Sequence, residues 1–418
     1  MKYVIIGGGI SGLYCAYQLS KRSNDIIVIE KADRLGGRIF SKNFGRTIVE
    51  AGAGGINSNH YILINLLKEL GLERNLHLPN PSERSSERSY GQIDPMTGKI
   101  IKLIELKEFY KLIDNLNGLV RDDPFERKFA GSSTLFRFVE RVYGINVAEG
   151  MRNEFGYHND FMEQNALDGL GMFQRGKPFD PASRFGHLIG GMSTIIDRLK
   201  INLENKNIEI RKNTECVDIV KSDDKYLCRL SNGGTIEGEN IILAVPKKAL
   251  IKFKILEKVH YLLEKVISKA LMRVYLVFPL DRLWFRDMEG VVTTKTILRQ
   301  IIPVDKERGI IMIYVDGEAA RSLFYLKKAK LLAEYITKLL RRLFDLYIPD
   351  PVQIFSKFWN EATHVWKPLA DSETDSKRIL KPLPEEKIYI IGEAYSTMQQ
   401  WSEGALSTVN QLLDQLSR

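Results

Sequence analysis

The sequence predicts an α/β protein with a doubly wound, Rossmann-like nucleotide-binding domain and a second domain. The first observation is an N-terminal pattern: an apolar strand at residues 2–6, a glycine-rich turn, a helix at residues 13–22 and a second strand at residues 25–29. This order is typical of a strand–helix–strand unit that binds a dinucleotide. The second observation is the length of 418 residues, which exceeds what one hydrophobic core ordinarily holds.

The glycine-rich turn fits G-x-G-x-x-G over residues 7–12. Gly7 allows the turn, Gly9 lets the backbone approach a pyrophosphate, and Gly12 lets the helix pack closely on the strand. The free N–H groups at the start of the helix, around Ile10 and Ser11, add the positive end of a helix dipole. Together these features predict a dinucleotide site.

An acid and a basic glycine motif follow the second strand. Glu30 lies about 20 residues beyond the turn, where it can accept hydrogen bonds from the adenosine ribose. Residues 30–38 fit E-x-x-x-R-x-G-G-R and include Lys31, Arg34, Gly37 and Arg38. Glycine brings the backbone close to the dinucleotide, and arginine can hold phosphate oxygens in a bidentate way.

This stretch resembles the flavin-containing amine oxidase family, which includes monoamine, polyamine and L-amino-acid oxidases. The resemblance continues in residues 49–53, Val-Glu-Ala-Gly-Ala, and in a helix that ends in E-L-G-L at residues 69–72. It implies a bound FAD, with Gly52, Ala53 and Gly54 passing near the flavin ring. It also implies that Val217, in a strand-like run, contacts the adenine through its backbone.

The resemblance further implies two domains that interleave along the chain: a Rossmann-like FAD-binding domain and an α+β substrate domain with a mixed sheet. The expected boundaries are residues 1–77, 189–264 and 371–418 for the FAD-binding domain, and residues 78–188 and 265–370 for the substrate domain. Within the substrate domain, residues 102–171 are expected to be helical, and residues 82–89, a short repeat of Ser, Glu and Arg, to form a solvated loop.

The C-terminal segment carries a second match to the family. An apolar strand at residues 387–391 leads into Gly392 and Glu393, and Trp401 precedes the helix that contains Ala405. In the family, this strand brings an acid to the ribityl or phosphate groups. The last helix points its N-terminus at the pyrimidine end of the flavin, where a helix dipole favours negative charge on the reduced ring.

The family removes a hydride equivalent from the carbon beside an amine, and usually places a lysine near flavin N5. On the corresponding strand, residues 272–278, Arg273 occupies the lysine position, whereas Lys269 lies four residues earlier. Trp401 is one of the two expected rings in front of the flavin; Trp366 is the expected other ring, and Trp359 is the alternative to it. The alternatives are that Arg273 forms an ordinary buried ion pair and that Trp366 is a core residue.

Cysteine and histidine usage limits the cofactors. The three cysteines are Cys15, Cys216 and Cys228, so residues 360–370 lack the cysteine that carries covalent flavin in monoamine oxidases, and non-covalent FAD is expected. The odd count and absence of metal-type spacing favour a reducing, intracellular setting without disulfides. Six histidines without ligand spacing predict no metal.

Composition indicates a soluble globular protein, with 44% hydrophobic and 27% charged residues. The net charge of +9 is scattered, so no nucleic-acid partner is expected. No stretch reaches the ~20 apolar residues of a membrane span, and the chain ends at Arg418 without the C-terminal anchor of monoamine oxidases. These features predict a soluble cytoplasmic enzyme; a homodimer is one option for its oligomeric state.

The substrate remains open between several classes. An amine oxidised with dioxygen as acceptor is the first expectation. Residues 54–56, Gly-Gly-Ile, stand where L-amino-acid oxidases usually carry Met-Arg, which argues against an alpha-amino acid unless Arg273 binds the carboxylate. The second expectation is a carbon–carbon desaturase or protoporphyrinogen oxidase, and the third a flavoprotein that binds a partner with little turnover.

Overall fold

The computed structural model describes residues 2–79, 91–93, 100–101, 106–174, 176–177, 179–180, 182–288, 290–326 and 328–417. The loop expected at residues 82–89 lies outside them. The strands are β1 Tyr3–Ile6, β2 Ile26–Ile29, β3 Ser41–Phe44, β4 Thr47–Glu50, β5 Ile56–Asn57, β6 Leu76–His77, β7 Gly91–Ile93, β8 Ile100–Ile101, β9 Phe185–Leu188, β10 Glu209–Arg211, β11 Cys216–Ser222, β12 Lys225–Leu230, β13 Thr235–Gly238, β14 Asn240–Leu243, β15 Val266–Val277, β16 Val292–Thr293, β17 Gln300–Asp305, β18 Ile310–Asp316, β19 Gln353–Trp366 and β20 Ile388–Ile390.

The helices are α1 Ile10–Leu19, α2 Tyr61–Glu69, α3 Leu106–Asp122, α4 Pro124–Ser132, α5 Leu135–Tyr143, α6 Ile145–Phe155, α7 His158–Glu163, α8 Ala166–Gly171, α9 Ser193–Glu204, α10 Lys247–Leu250, α11 His260–Leu263, α12 Gly317–Phe324, α13 Ala329–Phe344, α14 Ser372–Leu380 and α15 Ser402–Leu416. The helical region expected between residues 102 and 171 contains six helices, α3 to α8, among the described residues. None of the helices in the described ranges is both long enough and apolar enough to cross a bilayer.

A five-stranded parallel sheet forms the nucleotide-binding domain, in the order β10-β2-β1-β14-β20. Strand β2 is apolar throughout, and β14 is apolar after Asn240, because both faces of the sheet are covered. The helices α1, α9 and α15 pack on one face, and the antiparallel strands β11 to β13 lie on the other. The strands come from three separated stretches of chain, so the predicted α/β class with an interleaved second domain is confirmed; the boundaries themselves stay a prediction.

A seven-stranded sheet forms the second domain, in the order β19-β15-β18-β17-β16-β7-β8. It is mixed, as expected, because β16 and β7 are parallel while the other neighbours are antiparallel. One face of β15, with Met272, Val274 and Leu276, packs under α12 and α13 in an apolar core. The opposite face is directed toward the FAD-binding domain and the helical region, and it positions the site described next.

Candidate active site

The glycine turn between β1 and α1 leaves room for a ligand at one position only. Gly7 has a φ of +115°, and a Cβ there would collide with the carbonyl of Ala244. A Cβ on Gly12 would collide with Gly7 O, so these two glycines serve close packing. Beside Gly9, by contrast, no atom lies within 4 Å of a Cβ position. The helix starts at Ile10, and Gly9 provides no side-chain cap, so the first N–H groups face this space.

Glu30 and Arg34 order the loops around this space. The Glu30 carboxylate accepts hydrogen bonds from Gly8 N and Ala32 N, both at 2.8 Å. Arg34 donates to the carbonyls of Leu35 (3.1 Å) and Ile39 (3.2 Å) and also to that of Gly37. The predicted contact between Arg34 and a phosphate would therefore use the guanidinium N–H groups that these carbonyls leave free. Lys31 is exposed, and Val217 is 47% exposed at the register shift of β11.

Glu393 lies at the centre of a buried ionic cluster. Its carboxylate contacts Arg38 Nη1 at 2.6 Å and His364 Nδ1 at 2.9 Å, and accepts hydrogen bonds from His364 N (3.0 Å) and Gln400 N (2.7 Å). Burial alone would raise the pKa of Glu393, but Arg38 and His364 hold it well below its usual range. Glu393 is therefore ionised. Gly392, at the end of β20, lies near Ser11 of α1 and donates its N–H to Thr408.

Residues 50–54 pass between this cluster and the seven-stranded sheet. Ala53 N donates to Arg38 O (3.0 Å), and a Cβ on Gly52 would collide with the same carbonyl. Gly54 lies against Arg273, whose Nη1 is 3.4 Å from a Cβ position there. The predicted segment at residues 52–54 thus lies beside both Arg38 and the polar face of β15.

The last helix begins beside a group of aromatic rings. The Trp401 ring contacts His60 (4.9 Å between centroids), Phe179 (5.9 Å) and Phe185 (5.9 Å). Glu403 of the same helix accepts hydrogen bonds from Ile62 N and Leu63 N and so caps α2. Ala405 is buried behind it. The sequence did not indicate His60 as a neighbour of Trp401, because nothing local connects them.

Trp366 is placed differently from the prediction. Its side chain is 1% exposed, packs with residues of the nucleotide-binding core, and donates Nε1–H to Ser396 O at 3.0 Å. The structure does not bring its ring against Trp401, and we do not retain Trp366 as a substrate-facing ring. A fully buried tryptophan at the end of a long strand is explained by packing alone.

One face of the seven-stranded sheet is directed toward the FAD-binding domain and the helical region. This face is polar although it is largely buried. Between β15 and β18, Arg273 pairs with Tyr314 and Leu271 pairs with Asp316. Between β18 and β17, Tyr314 pairs with Gln300. Paired residues share a face. Lys269 lies on it as well, because it alternates with Leu271 and Arg273.

Two acids neutralise two cations on this face. Lys269 Nζ forms a buried ion pair with Asp160 of α7, and Arg299 lies 4.0 Å from Asp316. Burial lowers the pKa of Lys269 to about 8, and the carboxylates of Asp316 and Glu393 offset part of this effect. Lys269 is therefore within electrostatic range of the Glu393 cluster.

Arg273 has different surroundings. Its Nη1 donates to Glu50 O at 2.8 Å, next to the hydroxyl of Tyr275, which donates to the same oxygen. Its guanidinium lies 5.0 Å from the Tyr314 ring centroid. The Glu50 carboxylate is directed away, to Met192 N and Ser41 Oγ.

Residues 10–408 match the family described as flavin containing amine oxidoreductase. The chain belongs to this family. Its members are FAD-dependent oxidoreductases of the amine oxidase type, and the site fits FAD: Gly9 leaves open space at the start of α1, and Glu30 and Glu393 end two strands of the parallel sheet.

Relatives within the flavin containing amine oxidoreductase family carry several activities. The chain is 24% identical to amine oxidase A of Canis lupus familiaris over 58% of this chain and 49% of that protein, so it spans about half the length of this relative. It is 22% identical to a flavin-dependent L-tryptophan oxidase of Lentzea aerocolonigenes over 97% of this chain and 96% of that one. It is 25% identical to coproporphyrinogen III oxidase of Staphylococcus aureus over 53% of this chain and 55% of that one.

The fold is also that of solved family structures. A putrescine oxidase redesigned in its cofactor binding superposes with a TM-score of 0.78 at 18% identity, covering 100% of this chain and 99% of that one. At this identity the likeness concerns the fold alone.

Proposed function

We propose that this protein oxidises a C–N bond of an amine, with FAD as the hydride acceptor and dioxygen as the oxidant that regenerates it. The observation that carries the proposal is the buried polar face of the seven-stranded sheet. Burying polar groups costs free energy, so a soluble protein retains them where they bind or react. Here they lie between the FAD-binding segments and a set of aromatic rings.

The aromatic rings supply the apolar part of the site. Contacts run from Tyr314 to Tyr157 (5.8 Å), from Tyr157 to Phe179 (6.4 Å) and from Phe179 to Trp401 (5.9 Å). We call these four residues the ring row. Apolar surroundings favour the neutral form of an amine, because they desolvate the ammonium form. A neutral amine is the form that can lose a hydride from its carbon.

Lys269, rather than Arg273, is our candidate for the lysine that the family places near flavin N5. The register between β15 and β19 shifts between Lys269 and Leu271, so that Lys269 pairs with Thr363. This end of β15 therefore lies beside His364 and the Glu393 cluster. Arg273 lies farther along the strand, at Glu50.

FAD held without a covalent bond is part of the proposal. Cys15 is fully buried in α1, and Cys216 and Cys228 are buried in the antiparallel sheet of the nucleotide-binding domain. When bound, FAD supplies the two-electron acceptor, and the chain contributes the ring row, Lys269 and the ionised Glu393. Release of intact FAD by acid would support non-covalent binding.

The test is a screen of anaerobic flavin reduction with the purified holoenzyme. Monoamines, polyamines, amino acids, porphyrinogens and polyenes are added separately, and the loss of flavin absorbance is followed. Bleaching by an amine, with hydrogen peroxide and ammonia formed once air is admitted, would support the proposal. Bleaching only by a porphyrinogen would favour the second candidate, to which the coproporphyrinogen oxidase relative points. No bleaching by any compound would favour a binding role.

A further inference from the structure

We propose that Arg273 binds the carboxylate of the substrate, so that the amine oxidised at this site is an alpha-amino acid with an apolar or aromatic side chain. The inference rests on the proposed function, since it names the substrate class of the same site. In the reaction, the substrate Cα loses a hydride to FAD and its nitrogen loses a proton. Water hydrolyses the resulting imine to a 2-oxo acid and ammonia, and dioxygen takes up two electrons and two protons to become hydrogen peroxide.

Among the described residues, Arg273 has no carboxylate in direct contact: the Glu50 carboxylate binds Met192 N and Ser41 Oγ and acts on Arg273 only from a longer distance. Arginine does not deprotonate in proteins. The side chain is partly buried, its Nε is buried without a hydrogen bond, and Nη1 donates to a backbone carbonyl. Burial disfavours this charge, whereas Tyr275, Tyr314 and the more distant Glu50 favour it and hold the pKa of Arg273 above its usual range. A bound carboxylate would add direct charge pairing and could use two N–H groups of the guanidinium at once.

The other charges on the same face argue for an anionic rather than a second cationic group on the substrate. Lys269 is paired with Asp160, and Asp316 is near Arg299 and accepts a hydrogen bond from Asn159 N at 3.0 Å. Both acids thus lie beside a cation of the chain, although Asp316 Oδ1 has no hydrogen-bond partner among the described residues. Of Lys269, Arg273 and Arg299, only Arg273 lies without an acid within 4 Å in the described ranges. Lys357, the β19 partner of Arg273, has no acid within 4 Å in those ranges either, but its ammonium lies over the Phe40 and Trp359 rings.

The ring row determines the expected side chain. It begins at Tyr314, whose ring lies 5.0 Å from the Arg273 guanidinium, and it ends at Trp401. A molecule anchored by its carboxylate at Arg273 would therefore extend along aromatic surfaces. Such surfaces favour apolar or aromatic groups over charged ones.

The experiment compares compounds that differ by one carboxylate. L-Phenylalanine is paired with 2-phenylethylamine, and L-leucine with isopentylamine, in anaerobic flavin reduction by the holoenzyme. Phenylacetate and 2-phenylethanol serve as unreactive probes, and their dissociation constants are measured by titration calorimetry. We expect each amino acid to reduce the flavin at lower concentration than its amine, and phenylacetate to bind at least ~30-fold more tightly than 2-phenylethanol.

Variants assign the effect to Arg273. Arg273→Met should remove the preference for phenylacetate, and Arg273→Lys should retain part of it, because lysine keeps the charge but loses the planar fork. The matched control is Arg308→Met, since Arg308 is half exposed at the β17–β18 turn and pairs with Asp305. It should bind phenylacetate as the wild type does.

Equal binding of phenylacetate and 2-phenylethanol by the wild type would overturn the inference without any variant. Unchanged phenylacetate affinity in Arg273→Met would also overturn it. If that variant in addition showed a shifted flavin reduction potential, Arg273 would be assigned to the cofactor. Reduction of the flavin by the simple amines, independent of Arg273, would leave the proposed function standing and this inference wrong. Failure of all amines and amino acids to reduce the flavin would instead contradict the proposed function.

Discussion

The ammonium of Lys269 in β15 lies against the carboxylate of Asp160 in α7, and the two residues are only 4% and 1% exposed. The pair joins the seven-stranded sheet to the helical region that packs on its polar face. It also lies within electrostatic range of Glu393, at the edge of the FAD-binding domain. One ion pair therefore connects the seven-stranded sheet and the helical region at the proposed active site.

Breaking this pair should destabilise the protein strongly. Asp160→Asn leaves Lys269 as a buried charge without its partner, and we expect a loss of about 3–5 kcal/mol in the free energy of unfolding. Urea denaturation followed by circular dichroism measures it. The double variant Asp160→Asn with Lys269→Met should recover much of the loss. As a control, Asp281→Asn in the exposed pair with Arg282 should change stability by less than ~1 kcal/mol.

Lys269→Met should slow the reaction of the reduced enzyme with dioxygen. A cation beside the flavin stabilises the negative charge that develops on oxygen, and losing one such group costs roughly 10²–10³-fold in rate. Stopped-flow mixing of the anaerobically reduced enzyme with oxygenated buffer gives the rate. Lys225→Met, in an exposed pair with Glu237 of the antiparallel sheet, is the control. Equal reoxidation by wild type and Lys269→Met would remove Lys269 from the flavin.

Glu393→Gln should lose stability in a pH-dependent way. The folded-state pKa of Glu393 is depressed, so its ionisation stabilises the fold above the unfolded-state pKa of about 4.3, and this stabilisation declines as the pH falls further. The difference in urea midpoint between wild type and Glu393→Gln should therefore be constant from pH 7 to about 5 and shrink toward pH 3. A difference that grows on acidification would contradict the ionised carboxylate.

Glu30→Ala should weaken FAD binding by roughly 1.5–3 kcal/mol, the size of hydrogen bonds to a charged acceptor. Fluorescence titration of the apoprotein with FAD measures the change. Asp33→Ala, in the same loop, should bind FAD normally. Because Glu30 also holds Gly8 N and Ala32 N, Glu30→Gln provides a comparison that removes the charge and keeps the shape.

Trp401→Ala should slow flavin reduction by substrate about 10–100-fold while FAD content stays normal, because the proposed role of the ring is to orient the substrate. Trp401→Phe should keep most of the rate. Trp366→Phe is the contrasting change, and it should lower the unfolding temperature with little effect on flavin reduction. Loss of FAD or unfolding in Trp401→Ala would show that Trp401 is a packing residue.

The sequence by itself determined the nucleotide-binding turn and the acids that follow the strands. The turn at Gly7 to Gly12 and the strand that leads to Gly392 and Glu393 are continuous stretches, and phosphate recognition by backbone N–H groups needs little beyond such local geometry. Apolar runs likewise predicted the strands at residues 272–278 and 387–391 and the helix that contains Ala405, whereas β17 and the long β19 were not predicted.

Only the tertiary structure decided which side chains meet. His364 joins Arg38 at Glu393, Asp160 reaches Lys269, and Trp366 is drawn into the core instead of the ring row. Each of these contacts joins segments far apart in the chain, and the register of β19 against β15 sets where they fall. Lys269 and Arg273 share a face of β15, so residue spacing alone could not show that Asp160 lies against the first and the Glu50 carbonyl against the second.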